Sequence, residues 1–245
     1  MTRTILISGA ASGIGHATAE LFLQGGDTVV GIDRAEGRAG ELATRYPETF
    51  SLVQADLLEP AAYPAIGEYL RKLGRPADVL VNCAGIREIR PALELSLDEW
   101  NRVFGVNVTA AFLLSQVFVR QLAGTGSIVN VSSVSGLLAE PQRAAYVSSK
   151  HALIGLTKQL AMEFGELGIR VNAVAPGVVR TELTESYFSD PEQVALINAA
   201  HALGRVASPH EIARAIRFLA SDDASFMTGT IMTVDGGWTA GKVIK

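Results

Sequence analysis

Residues 4–26, TILISGAASGIGHATAELFLQGG, decide how this chain folds. Thr4 to Ser8 is a short β-type run that enters a turn holding Gly9, Gly13 and Gly15. A helical pattern through Ala17, Leu21, Phe22 and Leu23 then runs to a stop at Gly25 and Gly26. In strand–turn–helix order such glycines have a physical purpose. Bare backbone can approach a pyrophosphate closely, and the helix N-terminus attracts its charge. A tight turn alone would also use glycine, and the spacing is G-x-x-x-G-x-G rather than G-x-G-x-x-G. The turn gains its weight from the strand and the acid that come after α-helical residues 17–23.

Thr28 to Asp33 reads as that second strand ending in an acid, eighteen residues after Gly15. That is near the distance at which a dinucleotide fold sets a carboxylate on its ribose. A solvated strand-end aspartate is the plainer alternative, and the glycine turn favours the ribose role. A helix over about 37–46 and a strand over 50–54 come next, followed by Asp56 and Leu57. Asp56 either reaches an adenine or caps the next turn. Ala77 to Asn82 forms a fourth strand, leading into Cys83, Ala84 and Gly85. Ser96 to Glu99 has the form of a capping box and opens a long helix. Asn107, near its middle, reads by itself as a satisfied core amide or a kink.

Ile128 to Val131 and Gly168 to Pro176 give two further strands, the second closing at Gly177. The stretch from 181 to about 205 is more polar and departs from the regular pattern. Ser208 and Pro209 begin another helix, and Thr230 to Asp235 is the last strand. Alternating strands and helices, with no linker or repeat, predict an α/β chain: one doubly wound, Rossmann-like parallel sheet with helices on both faces. A single domain over residues 1–245 is expected, with the excursion at about 181–205. Ligands of such sheets bind beyond the carboxyl ends of the strands. The glycine turn, Asp33, Asn82 to Gly85, Ser133, Pro176 and Gly177 all fall at those ends.

The stretch 130–158 carries the chemistry. Ser132 and Ser133 sit where a strand stops. Tyr146 and Lys150 lie four residues apart on a helix that continues through Leu153, Leu156, Leu160 and Met162, so they share a face. A tyrosine ionises near pH 10, and a nearby cation favours its phenolate and brings it toward acid–base use. A strand-end serine can hydrogen-bond the same substrate oxygen. A Tyr–Lys pair alone is common on exposed helices, so the reading depends on the nucleotide signature.

Composition narrows the classes. The chain has 245 residues, is 48% hydrophobic and 19% charged, and carries a net charge of −4, which offers no basic footprint for nucleic acid. Cys83 is the one cysteine, so no intrachain disulfide forms, which suits a reducing cytoplasm. The start MTRTILISGA does not have the form of a signal peptide, and no apolar run is expected to approach the length of a membrane span. His16, His151, His201 and His210 show no ligand spacing with one another or with Cys83, so no metal is expected.

Taken together, these motifs resemble the short-chain dehydrogenase/reductase family, over essentially the whole chain to the final Val-Asp-Gly-Gly. Ser133, Tyr146 and Lys150, thirteen and then four residues apart, are specific to it when joined to the glycine turn. The resemblance implies Tyr146 as catalytic acid/base and Lys150 as the group that lowers its pKa and holds the nicotinamide ribose. It implies Ser133 on the reacting oxygen and Asn107 holding a water in a proton relay, which replaces the plain reading of that amide. For the cofactor it implies Gly9, Ser12, Gly13, Ile14 and Gly15 at the phosphates and ribose. Asp33 would meet the adenosine ribose, and Asp56 with Leu57 the adenine. Asn82, Ala84 and Gly85 would line the ribose side, with Pro176, Gly177, Val178 and Thr181 flanking the nicotinamide. Two positions depart from the family pattern: Ser8 stands for threonine, and Cys83 for a second asparagine that helps tie the sheet together.

The activity so implied is hydride transfer between NAD(H) and a small secondary alcohol or ketone. One alternative is an NADPH-dependent 3-oxoacyl-carrier-protein reductase, which Ser12 and Asp33 disfavour. A non-catalytic nucleotide-binding regulator is a second, which the intact tetrad disfavours. Arg87, Glu140, Arg143 and Tyr187 are expected on loops beside the nicotinamide, implying a polar or charged group on the substrate. Apolar composition and the Leu153/Leu156/Leu160 stripe suggest a homotetramer, which the resemblance pairs through two long helices; the alternative for the stripe is packing on the chain's own sheet.

Overall fold

The computed structural model describes residues 2–122 and 124–241. Its elements, in order, are β1 (Thr4–Ser8), α1 (Gly13–Gln24), β2 (Thr28–Asp33), α2 (Ala39–Arg45), β3 (Phe50–Gln54), α3 (Ala62–Lys72) and β4 (Val79–Asn82). Then come α4 (Leu97–Phe104), a π-helical turn (Gly105–Thr109), α5 (Ala110–Gln121), β5 (Gly126–Val131), α6 (Ala144–Phe164) and β6 (Ile169–Pro176). The chain finishes with α7 (Pro191–Ala200), α8 (Pro209–Leu219) and β7 (Ile231–Val234). Residues 1, 123 and 242–245 of the expected domain lie outside the described residues.

Strand side chains alternate between two apolar layers, as a two-residue period requires. Ile5, Ile7, Val29, Val79, Val81, Val129 and Val174 face the layer closed by Phe22 and Leu23 of α1, Leu42 of α2, and Ile212, Ile216 and Leu219 of α8. Leu6, Val30, Ile32, Leu80, Ile128 and Val171 face the opposite layer, closed by Ile66 and Leu70 of α3, Leu114 and Phe118 of α5, and Leu160 of α6. Burial on both faces is why these strands are nearly continuous apolar runs. All six neighbouring strand pairs are parallel, in the order β3-β2-β1-β4-β5-β6-β7. The doubly wound sheet expected from the alternation is the architecture found. Its order reverses between β1 and β4, and that switch point opens the crevice where the functional residues gather.

Polar ties cross the apolar layers. Asn82 Nδ2 donates to Asn130 Oδ1 at 2.8 Å, joining β4 to β5, and Asn130 Nδ2 donates to Thr157 Oγ1 of α6 at 2.9 Å. The Ser8 hydroxyl accepts from the backbone N–H of Cys83 at 3.1 Å and of Ala84 at 3.2 Å, joining β1 to the end of β4. Ser8 therefore performs a hydroxyl's task, and the sheet is tied by an amide even with cysteine at position 83.

Three expectations change. The excursion contains a helix, α7, opened by Pro191 and by an Asp190 side chain that accepts from Glu192 N–H at 2.9 Å. None of its residues is buried, so it has no core face for periodicity to reveal. Second, α4, the π turn and α5 form one helix, Leu97–Gln121, long and apolar enough by length and composition to cross a membrane. Its buried side, including Val103, Asn107, Leu114 and Phe118, packs into the protein, so the long helix expected after Ser96 is a core-flanking one whose apolar length had not been expected to approach a membrane span. Third, the α6 stripe expected at a subunit interface is internal. Leu153 is 2% and Leu160 3% exposed, and Leu156 packs against the inner layer.

Candidate active site

The crevice beyond β1 and β4 begins at the glycine turn. Gly9 has φ +73°, and a Cβ there would lie 2.9 Å from the Ala84 backbone. A Cβ on Gly15 would lie 1.9 Å from the Gly9 carbonyl oxygen, so α1 packs against the turn only because both positions are bare. The first N–H groups of α1 have no intrahelical partner; Ser12 makes no side-chain cap and no acid occupies the first turn. That open, positive helix end suits the pyrophosphate of a dinucleotide. Asp33, at the end of β2, accepts from Ala11 N–H at 3.1 Å and from Ala35 N–H at 3.4 Å, one bond on each oxygen. Each oxygen thus keeps acceptor capacity for a ribose hydroxyl. The donor and acceptor set therefore fits a nicotinamide dinucleotide.

One cleft brings together Gly9, Ser12, Gly13, Ile14, Gly15, Asp33, Asp56, Leu57, Ala84, Gly85, Ser133, Tyr146, Lys150, Pro176, Gly177 and Thr181. Asp56 combines both of its readings: Oδ1 accepts from Leu58 N–H at 2.9 Å, capping the turn, while the residue lines the cleft. Two expected cofactor residues lie off the wall. The Asn82 side chain turns into the sheet toward Asn130, and half-buried Val178 does not line the cleft, its N–H meeting His201 Nε2 at 3.4 Å. Arg102 and Glu182 line the cleft without having been anticipated, because charge on a helix or loop carries no spacing signature.

Within the cleft Ser133 lies two residues beyond the end of β5, while Tyr146 and Lys150 lie one turn apart near the start of α6. Lys150 Nζ is 5.7 Å from the centre of the Tyr146 ring and donates to the Val131 carbonyl at 2.9 Å. Burial pulls the Lys150 ammonium down to about 8. Burial also raises the Tyr146 hydroxyl; Ser133 pulls it down, Glu140 raises it, and Arg87 and Arg143 pull it down. The net effect on Tyr146 is upward, and the cations that pull it down are two arginines that the Tyr–Lys spacing did not suggest, not the Lys150 expected to lower it. Cys83, deeply desolvated, is pushed up to about 12 and stays a thiol.

Asn107 satisfies both halves of its plain reading. It lies in the π turn, 1% exposed, and Nδ2 donates to the Ile86 carbonyl at 2.9 Å and to Ser149 Oγ at 3.0 Å. Its Oδ1 accepts from Ile86 N–H at 2.9 Å. Both donors are used, so one Oδ1 lone pair is what the side chain has left for a water. A Cβ on Gly85 would lie 3.6 Å from that Oδ1 and 3.5 Å from Lys150 Nζ, which sets the two atoms around one point.

The four expected substrate residues form a cluster of their own next to Tyr146. Arg143 pairs with Glu140 at 2.9 Å and donates to the Tyr187 hydroxyl, while Arg87 lies 4.2 Å over the Tyr187 ring. Glu140 in turn accepts from Ser135 Oγ, whose N–H donates to Ser133 Oγ at 3.1 Å. Sequence reasoning missed Glu88. Its buried Oε1 accepts from Ala145 N–H at 2.9 Å and Tyr146 N–H at 3.1 Å, capping α6 where Arg143 at the N-cap makes no side-chain cap. Among the described residues no group of three or more His, Cys, Asp or Glu is placed to hold a metal ion.

Comparison with known proteins gives a consistent picture. A family profile described as enoyl-(acyl carrier protein) reductase matches residues 9–239. An uncharacterized short-chain type dehydrogenase/reductase of Sinorhizobium fredii is 39% identical over 96% of this chain, which spans 43% of that longer protein. Meso-2,3-butanediol dehydrogenase of Serratia marcescens is 38% identical, covering 97% of this chain and 95% of its own. A solved 4-hydroxyisoleucine dehydrogenase complexed with NADH is 45% identical, with a TM-score of 0.94 over 98% of this chain and 100% of that one. With a dinucleotide crevice at the switch point, and a serine, tyrosine and lysine converging in it, the chain belongs to the short-chain dehydrogenase/reductase family of nicotinamide-dependent oxidoreductases.

Proposed function

We propose that the protein interconverts a small secondary alcohol and its ketone with NAD(H), using Tyr146 as the proton-exchanging group. The observation that carries this reading is the placement of Tyr146 and Lys150 one turn apart on α6, opposite Ser133, in the cleft that also holds the glycine turn and Asp33. The bound nicotinamide supplies the hydride donor or acceptor. Ser133 hydrogen-bonds the substrate oxygen, and Tyr146 takes or returns its proton. Lys150 supports the phenolate and binds the nicotinamide ribose, with Asn107 linking it to a water through its remaining Oδ1 lone pair. Asp33 at the ribose end favours NAD over NADP. The names of the two well-covered relatives, for butanediol and 4-hydroxyisoleucine, support a small hydroxylated substrate.

Removing the Tyr146 hydroxyl tests this directly. Tyr146→Phe is expected to lose about 10²–10⁴-fold in kcat, the usual worth of general acid–base assistance, with NADH binding kept. Near wild-type turnover would remove Tyr146 from the mechanism. The same reading includes a cytoplasmic homotetramer. With the α6 stripe internal, its support is the family resemblance, the lone cysteine, and apolar side chains at the surface such as Phe112, Met162 and Phe226.

A further inference from the structure

We propose that the substrate carries a carboxylate, and that Arg87 is the residue that recognises it. The inference rests on the reading of the cleft as a hydride-transfer site and names the class of substrate that site takes.

Arg87, Arg143 and Glu140 together carry two positive charges and one negative. Arg143 and Glu140 neutralise each other through a 2.9 Å ion pair. One Glu140 oxygen meets Arg143 and the other the Ser135 hydroxyl, so Glu140 is committed to partners other than Arg87. Arg87 adds a second guanidinium beside that pair and, among the described residues, takes part in no ion pair. Its one hydrogen bond, to Ser186 Oγ, is 3.4 Å long. The Tyr187 ring shields one face of the guanidinium at 4.2 Å, leaving the planar edge for an acceptor. A half-buried guanidinium that feels Glu140 only from beyond ion-pair distance gains from a carboxylate, which matches its fork with two parallel bonds.

The loop holding Arg87 is fixed on both sides. Ile86 exchanges two backbone hydrogen bonds with the Asn107 amide, each 2.9 Å. Glu88 is bound to the N-terminus of α6, and Arg90 N–H donates to the Gln142 carbonyl at 2.8 Å. Gln142 adopts φ 60° there, a left-handed conformation costly for a residue with a side chain. Three anchoring residues, Ile86, Glu88 and Arg90, thus hold Arg87 near Tyr146. Its charge is felt by Tyr146; burial and then Arg143 pull Arg87 itself down, while Tyr146 and Glu140 raise it. The placement suits a short hydroxy acid whose carbinol reaches Tyr146 and Ser133 while its carboxylate reaches Arg87.

Two measurements test this. Binding of succinate, an unreactive carboxylate probe, is titrated calorimetrically against the protein–NADH complex. Saturable binding is expected in wild type and in Tyr146→Phe. It should weaken roughly tenfold to a hundredfold in Arg87→Ala and less in Arg87→Lys, which keeps the charge but loses the fork. Separately, kcat/KM is compared for short hydroxy acids and their carboxamides. The acid should be preferred by about tenfold or more, and Arg87→Ala should collapse that ratio, while Arg71→Ala, on the far surface of α3, should not. No succinate binding, or an acid-to-amide ratio unchanged by Arg87→Ala, overturns the proposal. A fully active Tyr146→Phe with the Arg87 effects intact would instead overturn the acid–base reading and leave this one standing.

Discussion

Removing the Glu88 carboxylate should loosen the helix that carries the reacting tyrosine. In Glu88→Ala the N–H groups of Ala145 and Tyr146 lose an acceptor at 2.9 and 3.1 Å, at a helix start with no other side-chain cap. A hydrogen bond to a charged group contributes about 1.5–3 kcal/mol, and loss of an ordinary cap costs about 1. The two bonds share one oxygen, so about 2–4 kcal/mol is expected rather than twice the larger figure. For a chain of this size each kcal/mol lowers Tm by about 2–4 °C, which predicts a fall of about 4–16 °C for the ligand-free protein. Glu88→Gln keeps an acceptor and should lose about 1 kcal/mol. Displacing Tyr146 matters more to the chemistry than to cofactor binding, since a shift of about 1 Å can cost about a hundredfold. The assay is a melting curve beside kcat and NADH affinity for both variants. Glu88→Ala melting within about 1 °C of wild type, with unchanged kcat, would refute the reasoning.

The remaining tests concern cofactor choice, pH and assembly. A ribose phosphate about 4 Å from the Asp33 carboxylate meets repulsion of about 1 kcal/mol in water and about 4 at an effective dielectric of 20. NAD should therefore exceed NADP by at least about tenfold in kcat/KM, with Arg34 offsetting part of the penalty. Asp33→Ala should narrow that gap, and an unchanged ratio removes Asp33 as the discriminator. Lys150, at about 8 in the fold against 10.5 when free, binds its proton less tightly folded than unfolded. Its burial therefore costs most below pH 8. From pH 8 toward 10 its contribution to stability rises, by at most about 1.4 kcal/mol per pH unit. Relative to wild type, Lys150→Met should lose that rise in ligand-free denaturation, and parallel pH profiles would contradict the burial argument. The window ends near 10, where tyrosines begin to ionise in the unfolded chain. For assembly, light scattering at micromolar concentration should give about four times the 25.9 kDa chain mass, whereas a single chain mass would exclude the tetramer.

What the sequence made legible is what local geometry dictates. Gly9 and Gly15 were readable because only bare backbone tolerates contacts of 2.9 and 1.9 Å at those Cβ positions, and the strand and helix on either side announce themselves by period. Tyr146 and Lys150 were readable because one helical turn joins them. Glu88 was not, because the amides it caps lie 57 and 58 residues away, and no pattern in the chain records that meeting. The same holds for Ser149, which receives the Asn107 amide across 42 residues. Asn107 shows that both levels of reading were needed: its bonds make it a satisfied core amide at a kink, and its free lone pair leaves room for the role the family implies. The α6 stripe teaches the converse. Leu153, Leu156 and Leu160 at helical spacing say that a face is apolar, and only the fold says which neighbour covers it. Here that neighbour is the chain's own sheet. The large apolar side chains the single chain leaves at its surface lie outside that stripe, among them Phe112 and Phe226.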